Sequence, residues 1–477
     1  MDNDIKEIRL KLYNTETREK VEVYPSNDQF IRLYTCGPTV YDYAHIGNFR
    51  TYVFEDLLRR TLKFFGLKVE QVMNITDVDD KTIRGAIEKK VSLKEYTEVY
   101  ETAFFEDLDQ LNIERAEKYP HATDFIEDMI EMILSLIDKG YAYQGTDGNV
   151  YYSIDKFSSY GRLAHLKTKD LKAGASERVA LDEYDKENVS DFVLWKNYNP
   201  ERDGKIYWES PFGQGRPGWH IECSSMALKL LGKTIDIHCG GVDNIFPHHE
   251  NEIAQSEAFT GRTFSHIWAH AEHLIVNGKK MSKSLGNFYT LRDLLKKGYT
   301  PEQVRYTLLA THYRTQLNFT FEGLDGAKNA LDRLNDFMMR LREIEDASTY
   351  NAAAPILDDC EFRFASNLAD DLNISASLAA LFDLVRKVNT LIDEKQIGKE
   401  EATKVLNAIH HWNTVLGLPL EKEVEVPQGI LDALEQRQMA RKERNFQKAD
   451  ELRDWIIDQG YVIEDTPQGP RVKQSKA

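Results

Sequence analysis

The stretch FPHHENEIAQ, residues 246–255, places two histidines and two glutamates at the predicted start of a helix. It nearly matches H-E-x-x-H, the zinc-protease pattern in which two histidines one helical turn apart bind a metal. Counting from His249 and Glu250, the second histidine would fall at position 253, where the chain has Ile253. The stretch therefore does not predict a zinc hydrolase, and its polar side chains need another explanation.

Metal binding of a different kind is compatible with the same stretch. His248 and Glu252 are four residues apart, so they share one face of the predicted helix. Two ligands cannot complete a zinc site, which takes about four nitrogen, sulfur or oxygen ligands. Cys36 ends the first predicted sheet strand, and Cys223 lies on a predicted helix near the same sheet edge. Such a thiol is either a metal ligand or a small buried hydrophobic residue, and the residues alone leave both interpretations open.

The composition predicts a folded, multi-domain, cytosolic protein. The 477 residues are too many for one hydrophobic core, and 42% hydrophobic with 29% charged residues is typical of globular proteins. No apolar run approaches the ~18 residues of a membrane span, and the charged N-terminus MDNDIKEIRLKLYN does not resemble a signal peptide. Four widely spaced cysteines argue against a disulfide framework. The net charge of −17 excludes indiscriminate nucleic-acid binding, but not a nucleic-acid partner held by local basic patches.

The elements that must position the candidate ligands form an α/β pattern. FIRLYTCG (30–37) alternates apolar and polar residues as a strand does, and FRTYVFEDLLRRTLKFFG (49–66) has helical apolar spacing. LKVEQVMNIT (67–76) is the next predicted strand, and this strand–helix–strand order predicts a parallel sheet. The sheet pattern resumes at TIDIHCGG (234–241), and residues 83 to about 140 are predicted to be helical.

Two further regions complete the predicted organisation. GNVYYSI (148–154) and DFVLWKN (191–197) are predicted strands that bracket a polar stretch ending in VALDEYDKENVSD, and together they indicate an insertion between two halves of the sheet domain. From about residue 300 the chain is predicted to be mostly helical, and a charged tail contains one predicted helix, MARKERNFQKADELRDWI (439–456).

The loop after the first strand, PTVYDYAHIGN (38–48), has features of a phosphate-binding loop. Gly47 lets the backbone approach a ligand closely, and the N-terminus of the following helix attracts anions. His45 and Asn48 can add hydrogen-bond donors to phosphate oxygens. HIGN alone is equally compatible with a turn that only caps the helix.

A second candidate phosphate contact is GKKMSKSLGN (278–287). Lys280 and Lys283 lie between Gly278 and Gly286, so the loop is cationic and can move. Such a loop could close over a triphosphate and stabilise the charge that develops on leaving pyrophosphate. A solvated lysine loop is the commoner case, but together with a phosphate-type loop on a parallel sheet the functional interpretation is favoured.

HIGN and KMSKS, in this order and about 235 residues apart, resemble the signature pair of class I aminoacyl-tRNA synthetases. The surrounding residues resemble a narrower family, the cysteinyl-tRNA synthetases, over essentially the whole chain. The stretches that carry this resemblance are TCGPTVYDYAHIGN, NITDVDDK, GRPGWHIECS, FPHHENEIAQS and KMSKSLGNF. The resemblance implies an α/β fold: a split Rossmann-like parallel-sheet catalytic domain with an insertion, followed by a helical bundle and a small C-terminal anticodon-binding domain.

Six segments are predicted on this basis. They are a first half of the catalytic domain (1–125), a connective insertion (126–205), a second half of the catalytic domain (206–265), a stem-contact segment with KMSKS (266–312), a helical bundle (313–420) and an anticodon-binding tail (421–477).

The resemblance also implies one zinc ion per chain, with ligands Cys36, Cys223, His248 and Glu252. His249 is an alternative ligand, although the residue four positions after it is Ile253. The family usually has glycine where this chain has Cys239, whose thiol could lie near the metal. The implied zinc distinguishes cysteine from serine, because shape alone separates near-isosteres by only ~10–200-fold, whereas a required bonding partner reaches ~10⁴–10⁵.

The implied reaction has two steps at one site. The carboxylate of cysteine attacks the α-phosphate of ATP, which is bound with magnesium, and a ribose hydroxyl of the terminal adenosine of the tRNA then attacks the adenylate. The residues implied to stabilise the negative charge on ATP and pyrophosphate are His45, Asn48, Lys280 and Lys283, with Lys283 as the main ATP contact. The residues implied to line the amino-acid and nucleotide pocket are Gly47, Thr76, Trp219, His238 and Asp243. Asn48 replaces the histidine that usually ends the first motif, so a direct acid role is not predicted there.

The implied partners are cysteine tRNA, L-cysteine and ATP, with no membrane, and a cytoplasmic monomer is expected. The tail helix offers a basic face for tRNA phosphates, made of Arg437, Arg441, Lys442, Arg444 and Lys448. One alternative is an enzyme that ligates activated cysteine to a small amine, which predicts loss of this tail. Another is a non-catalytic zinc-containing RNA-binding paralogue, which predicts degraded HIGN or KMSKS motifs.

Overall fold

The computed structural model describes residues 8–27, 29–166, 191–420, 427–466 and 469–474. Most of the polar stretch that ends in VALDEYDKENVSD lies outside these described residues. The chain divides into two compact units, Met1–Leu418 and Pro419–Ala477. In the described part of the chain, no helix combines the length and the apolar character that crossing a membrane requires.

The strands are, in chain order, β1 Lys11–Asn14, β2 Glu19–Glu22, β3 Ile31–Thr35, β4 Val69–Met73, β5 Ala142–Gln144, β6 Val150–Tyr152, β7 Phe192–Asn197, β8 Gly215–Pro217, β9 Ile235–Gly241, β10 Ser265–Ala271, β11 Leu274–Val276, β12 Lys279–Lys280, β13 Leu317–Phe319, β14 Tyr461–Thr466 and β15 Gly469–Gln474.

The α-helices are α1 Ile46–Phe64, α2 Asp80–Lys89, α3 Leu93–Gln110, α4 Ile126–Asp138, α5 Pro200–Asp203, α6 Trp219–Leu231, α7 Glu250–Thr260, α8 Leu291–Lys296, α9 Pro301–Leu309, α10 Phe321–Arg342, α11 Ala354–Ala369, α12 Ile374–Asp393, α13 Lys399–Leu416, α14 Gln428–Lys442 and α15 Phe446–Asp458.

A four-stranded parallel sheet of order β10-β9-β3-β4 confirms the predicted α/β fold. Its strands carry buried residues on both faces, as parallel strands covered by helices must. Thr35 at the end of β3 is paired with Cys239 of β9. Residues that follow β3 and β9 therefore meet at one edge of the sheet, the edge where ligands bind in open parallel sheets.

Helix α1 connects β3 to β4, as the strand–helix–strand pattern predicts. It begins three residues before the predicted start, at Ile46 rather than residue 49. His45 and Asn48 form reciprocal hydrogen bonds at its first turn, which satisfy two backbone N–H groups that a helix start would otherwise leave unpaired. The HIGN motif is thus the N-terminal cap of this helix.

The prediction that residues 83 to about 140 are helical is confirmed by α2, α3 and α4, but one part of this region is not helical. Helix α3 ends at Gln110 and α4 begins at Ile126. Between them an extended segment runs beside β4, where Met73 N–H donates to Lys118 O at 3.1 Å and Ile75 N–H donates to Pro120 O at 2.8 Å. The segment satisfies edge donors of β4 that a helix could not reach.

The predicted strands of the insertion are neighbours in a small antiparallel sheet of order β5-β6-β7-β8. Strand β6 pairs with β7 although the polar stretch between them separates the two strands along the chain. The helical prediction after residue 300 is confirmed by α10 and α12.

The prediction of one helix in the tail is wrong. The second unit has two helices, α14 and α15, separated by a turn in which Arg444 has a φ of +57°. Arg437 is only 7% exposed, so it does not belong to an accessible basic face, whereas Arg441, Lys442, Arg444 and Lys448 are exposed. A hairpin of β14 and β15 follows these helices.

Candidate metal centre and active site

Ligand atoms of four side chains converge at the edge of the sheet. One sulfur, two imidazole nitrogens and one carboxylate oxygen, from Cys36, His248, His249 and Glu252, all lie within 4.8 Å of one another. Cys36 follows β3, and the other three lie at the start of α7 and in the turn before it. The structure thus brings together three of the four ligands implied by the resemblance, together with the alternative His249.

Both oxygens of the Glu252 carboxylate lie near histidine nitrogens. Its Oε2 lies 3.0 Å from His238 Nε2. Its buried Oε1 lies 3.0 Å from His248 Nε2 and 3.9 Å from His249 Nε2, without a well-formed hydrogen bond. Zinc bonds of ~2.0–2.3 Å place tetrahedral ligand atoms about 3.3–3.8 Å apart, so these closely spaced donors fit a zinc ion.

Glu252 and His248 form a charged pair. Burial alone would lower the pKa of His248, but Glu252 and Cys223 raise it to about 10, so this ring must lose a proton to bind a metal. Burial by itself raises the pKa of Glu252, but His238 and His248 outweigh it and lower that pKa to about 2. The carboxylate is therefore ionised at neutral pH, in the form that binds metals.

Cys223 contacts this cluster from α6. Its thiol interacts with the side chains of Cys36 and His248, but it lies outside the group of ligand atoms that are within 4.8 Å of one another. The Cys36 side chain lowers the pKa of Cys223 to about 6, whereas Cys223 and burial raise the pKa of Cys36. His249 lies within the group and Cys223 lies beside it, so both are candidates for a fourth ligand.

Further aromatic and imidazole rings orient the two histidines. The Trp219 ring stacks on His248 with centroids 4.1 Å apart, and His220 Nδ1 lies 2.9 Å from His248 Nδ1. These contacts leave Nε2 of His248 directed at Glu252. A metal-binding histidine commonly has its other ring nitrogen held in this way.

His249 has a similar chain of partners. Its Nε2 lies 3.2 Å from Cys36 Sγ, and its Nδ1 lies 2.8 Å from His270 Nε2. His270 Nδ1 in turn lies 2.7 Å from Thr15 Oγ1. Burial lowers the pKa of His249 and lowers that of His270 to about 3. Both rings are therefore neutral, as a metal-binding imidazole must be.

Cys239 lies on the opposite face of the sheet from this cluster. Adjacent residues of a strand point to opposite faces, and His238 points at Glu252. The buried Cys239 thiol is instead near Glu55 of α1, and burial, with that neighbouring carboxyl group, raises the pKa of Cys239. The structure thus gives this thiol no place among the candidate ligands.

The HIGN motif follows the loop that begins at Cys36: His45 ends this loop, and the next three residues form the first turn of α1. Asn48 N–H donates to His45 Nδ1 at 3.2 Å, and His45 N–H donates to Asn48 Oδ1 at 3.1 Å. Burial and the nearby charge of Lys283 lower the pKa of His45 to about 4, so its ring is neutral. Because Nδ1 accepts a hydrogen bond, the ring proton lies on Nε2, which is a donor.

The KMSKS loop packs against HIGN. Lys283 Nζ lies 2.7 Å from Asp42 Oδ2 and 5.1 Å from the centroid of the Phe288 ring. A Cβ on Gly47 would lie 2.9 Å from the His45 ring, so glycine at this position leaves room for that ring, and it would lie 3.2 Å from Cε of Met281 in the other motif. Lys280 is exposed in β12.

The remaining predicted pocket residues divide between buried and exposed positions. Thr76 is buried, and its hydroxyl donates to Glu222 Oε2 at 3.0 Å. Asp243 is exposed, with Oδ1 3.3 Å from His273 Nε2. The sequence did not single out Glu222, His220 or His270 as site residues. Glu222 and His220 lie in the stretch GRPGWHIECS, which carries the family resemblance, whereas no motif or spacing marks His270.

Comparisons with known proteins define the class. Two structures of Mycobacterium tuberculosis methionyl-tRNA synthetase with methionyl-adenylate are similar in fold. One has a TM-score of 0.59 at 14% identity and covers 81% of this chain and 89% of its own. The other has a TM-score of 0.60 at 15% identity and covers 85% of this chain and 94% of its own. Residues 22–329 match the family described as tRNA synthetases class I (C) catalytic domain, and residues 363–421 match the DALR domain. The fold is that of a class I aminoacyl-tRNA synthetase.

The sequence relatives are more specific. The cysteine--tRNA ligase of Protochlamydia amoebophila is 60% identical over 472 residues, which cover 98% of this chain and 99% of the relative. That of Chlamydia caviae is 55% identical over 474 residues and covers 98% of each. The chain belongs to the cysteine--tRNA ligase family and is an enzyme that charges tRNA with cysteine, which confirms the resemblance in HIGN, KMSKS and the stretches around them.

Proposed function

We propose that the enzyme forms a cysteinyl-adenylate from L-cysteine and magnesium-bound ATP, and then transfers cysteine to the terminal adenosine of cysteine tRNA. The observation that carries this proposal is the position of the candidate metal centre. One loop begins at Cys36, at the end of β3, and ends at His45, where the HIGN motif starts α1. Groups that can recognise a thiol and groups that can bind phosphate therefore lie at one edge of the sheet.

The residues proposed to hold zinc are Cys36, His248 and Glu252, with Cys223 as the fourth ligand by resemblance. Bound zinc would supply a site that prefers the thiolate of cysteine to the hydroxyl of serine. The convergence of the ligand atoms of Cys36, His248 and Glu252 within 4.8 Å of one another supports this proposal.

On the nucleotide side, the neutral His45 donates its Nε2–H to a phosphate oxygen. Asn48 uses its side-chain oxygen to cap His45, so we assign it to holding the loop rather than to the phosphate itself. The N-terminus of α1 adds partial positive charge at the same place. Lys283, with Lys280, stabilises the charge that develops on pyrophosphate.

The contact between Lys283 and Asp42 competes with this role. We expect Asp42→Asn to lower the KM for ATP by no more than about fivefold, because an exposed ion pair contributes only ~0–1 kcal/mol. The KM for ATP would be measured by pyrophosphate exchange at saturating cysteine, with Asp42→Glu as a charge-preserving control. An increase in KM would show instead that Asp42 assists ATP binding.

Pyrophosphate exchange also tests the proposed function as a whole. We expect exchange with cysteine but not with serine, loss of exchange when the protein is stripped with a chelator, and recovery when zinc is restored. The physical reason is that the buried ligand set holds no thiol-binding ion after stripping. Equal exchange with serine, or full exchange after complete stripping, would contradict the proposed role of zinc.

A further inference from the structure

Glu250 stands where H-E-x-x-H would place a general base, yet its carboxylate is fully buried. Its Oε1 accepts a hydrogen bond from Gly161 N–H at 2.7 Å. Its Oε2 accepts from Leu163 N–H at 2.9 Å and from Ala164 N–H at 3.0 Å. Because three backbone N–H groups donate to this one carboxylate, the Glu250 side chain binds protein backbone and is not available as a general base.

The backbone that binds Glu250 is a tight turn of residues 160–166, here called the clamp turn. Gly161 has a φ of +95°, and a Cβ there would lie 2.5 Å from Leu166 O. Leu166 N–H closes the turn by donating to Gly161 O at 2.9 Å. Only glycine fits this conformation and this close approach, so the turn presents its N–H groups in a fixed arrangement.

Other contacts on the same side of α7 reinforce this docking. The hydroxyl of Tyr160 donates to Asn251 Oδ1. Arg162 makes two hydrogen bonds with Glu257, at 2.8 and 2.6 Å. Helix α7 is therefore held by the clamp turn through both a buried carboxylate and side-chain pairs.

The candidate ligand Glu252 lies on the other side of that helix turn. Residues two apart on an α-helix point about 200° away from each other, because each residue advances about 100°. Glu250 is thus directed to the clamp turn while Glu252 is directed to Cys36, His248 and His249. Rotation of α7 about its axis would move both carboxylates together.

We propose that Glu250 is a positioning residue, which fixes the rotation of α7 so that Glu252 and the adjacent histidines meet as a metal site. This inference rests on the proposed zinc site. It follows that metal binding and the order of the clamp turn are linked: zinc stabilises the turn, and loss of the turn weakens zinc. The segment around residues 160–166 then contributes to cysteine recognition without touching the substrate.

The test uses the full-length enzyme with Glu250→Gln, which keeps the shape of the side chain and removes its charge. Gly161→Ala disturbs the same contact from the clamp turn. We expect both variants to bind zinc about 10–100-fold more weakly in chelator competition, the range for loss of a group that orients a metal ligand. We also expect the KM for cysteine to rise while the KM for ATP changes less than about twofold, since HIGN and KMSKS are untouched.

Hydrogen exchange supplies a readout that does not depend on activity. Zinc should slow exchange of the amides of residues 161, 163 and 164 in the unsubstituted enzyme, and should do so less in Glu250→Gln. Glu401→Gln is the matched control, because Glu401 accepts from the N–H groups of Tyr350, Ala353 and Gly398 at 3.3–3.4 Å in the helical region. It should leave zinc affinity unchanged even if it lowers thermal stability.

The outcomes separate this inference from the proposed function. Unchanged zinc affinity in folded Glu250→Gln and Gly161→Ala would overturn the positioning role alone. Absence of zinc binding in the unsubstituted enzyme would overturn the proposed metal site and this inference with it. Equal weakening by Glu401→Gln would show that general destabilisation, not the position of α7, is responsible.

Discussion

Replacing Cys36 by serine should weaken zinc binding by more than about 100-fold, because even removal of a group that only orients a ligand costs ~10–100-fold. Cysteine-dependent pyrophosphate exchange should fall by at least the same factor. A hydroxyl is a poor substitute for a thiolate on zinc, which binds sulfur at ~2.3 Å. Metal content after dialysis and exchange rates on the same preparation would measure both effects.

Two of the three other cysteines, Cys239 and Cys360, provide matched controls for this prediction. Cys360 lies on α11, and Cys239 faces away from the cluster, so Cys360→Ser and Cys239→Ser should retain zinc and exchange. If Cys36→Ser kept its zinc, or if all three variants lost it equally, the proposed centre would be wrong.

The same assay distinguishes the two possible fourth ligands. If the set implied by resemblance is right, Cys223→Ser should lose zinc as Cys36→Ser does, whereas His249→Asn should weaken binding by only ~10–100-fold. If His249→Asn lost zinc and Cys223→Ser only weakened its binding, the fourth ligand would be His249 and not Cys223. Thermal unfolding of each variant would show that the protein remains folded during the comparison.

Substituting Lys283 by methionine should lower the maximal rate of pyrophosphate exchange by about 10²–10³-fold, the usual cost of removing one charge-stabilising donor. Methionine keeps most of the length of the side chain and removes its charge. Zinc affinity and the KM for cysteine should be unaffected, because Lys283 lies at Asp42 and Phe288 rather than at the metal cluster.

Lys279→Met is the control for Lys283→Met, since Lys279 is an exposed lysine of β12, four residues before Lys283. It should retain a rate within about threefold of the unsubstituted enzyme if the effect depends on position and not on the total charge of the loop. A similar loss in both variants would assign the loop a general electrostatic role instead.

Much of the fold follows from local patterns in the chain. Alternating residues before Cys36 and the helical spacing after Phe49 predict β3 and α1, and their order predicts the parallel sheet. Helical periodicity did not predict two interruptions. The segment around Lys118 is extended because β4 offers it hydrogen bonds. The tail helix breaks at Arg444, where the backbone takes a left-handed conformation.

Residue types and motif spacing were enough to indicate the family and to identify Cys36, His248 and Glu252 as candidate metal ligands. The contacts of these residues could not be predicted in the same way. The approach of Glu252 to Cys36 and the hydrogen bonds of Glu250 to the clamp turn depend on segments about 90 to 215 residues away along the chain. Local sequence patterns cannot encode such contacts, because hydrogen-bond partners of a buried group are set by which strands and turns pack beside it.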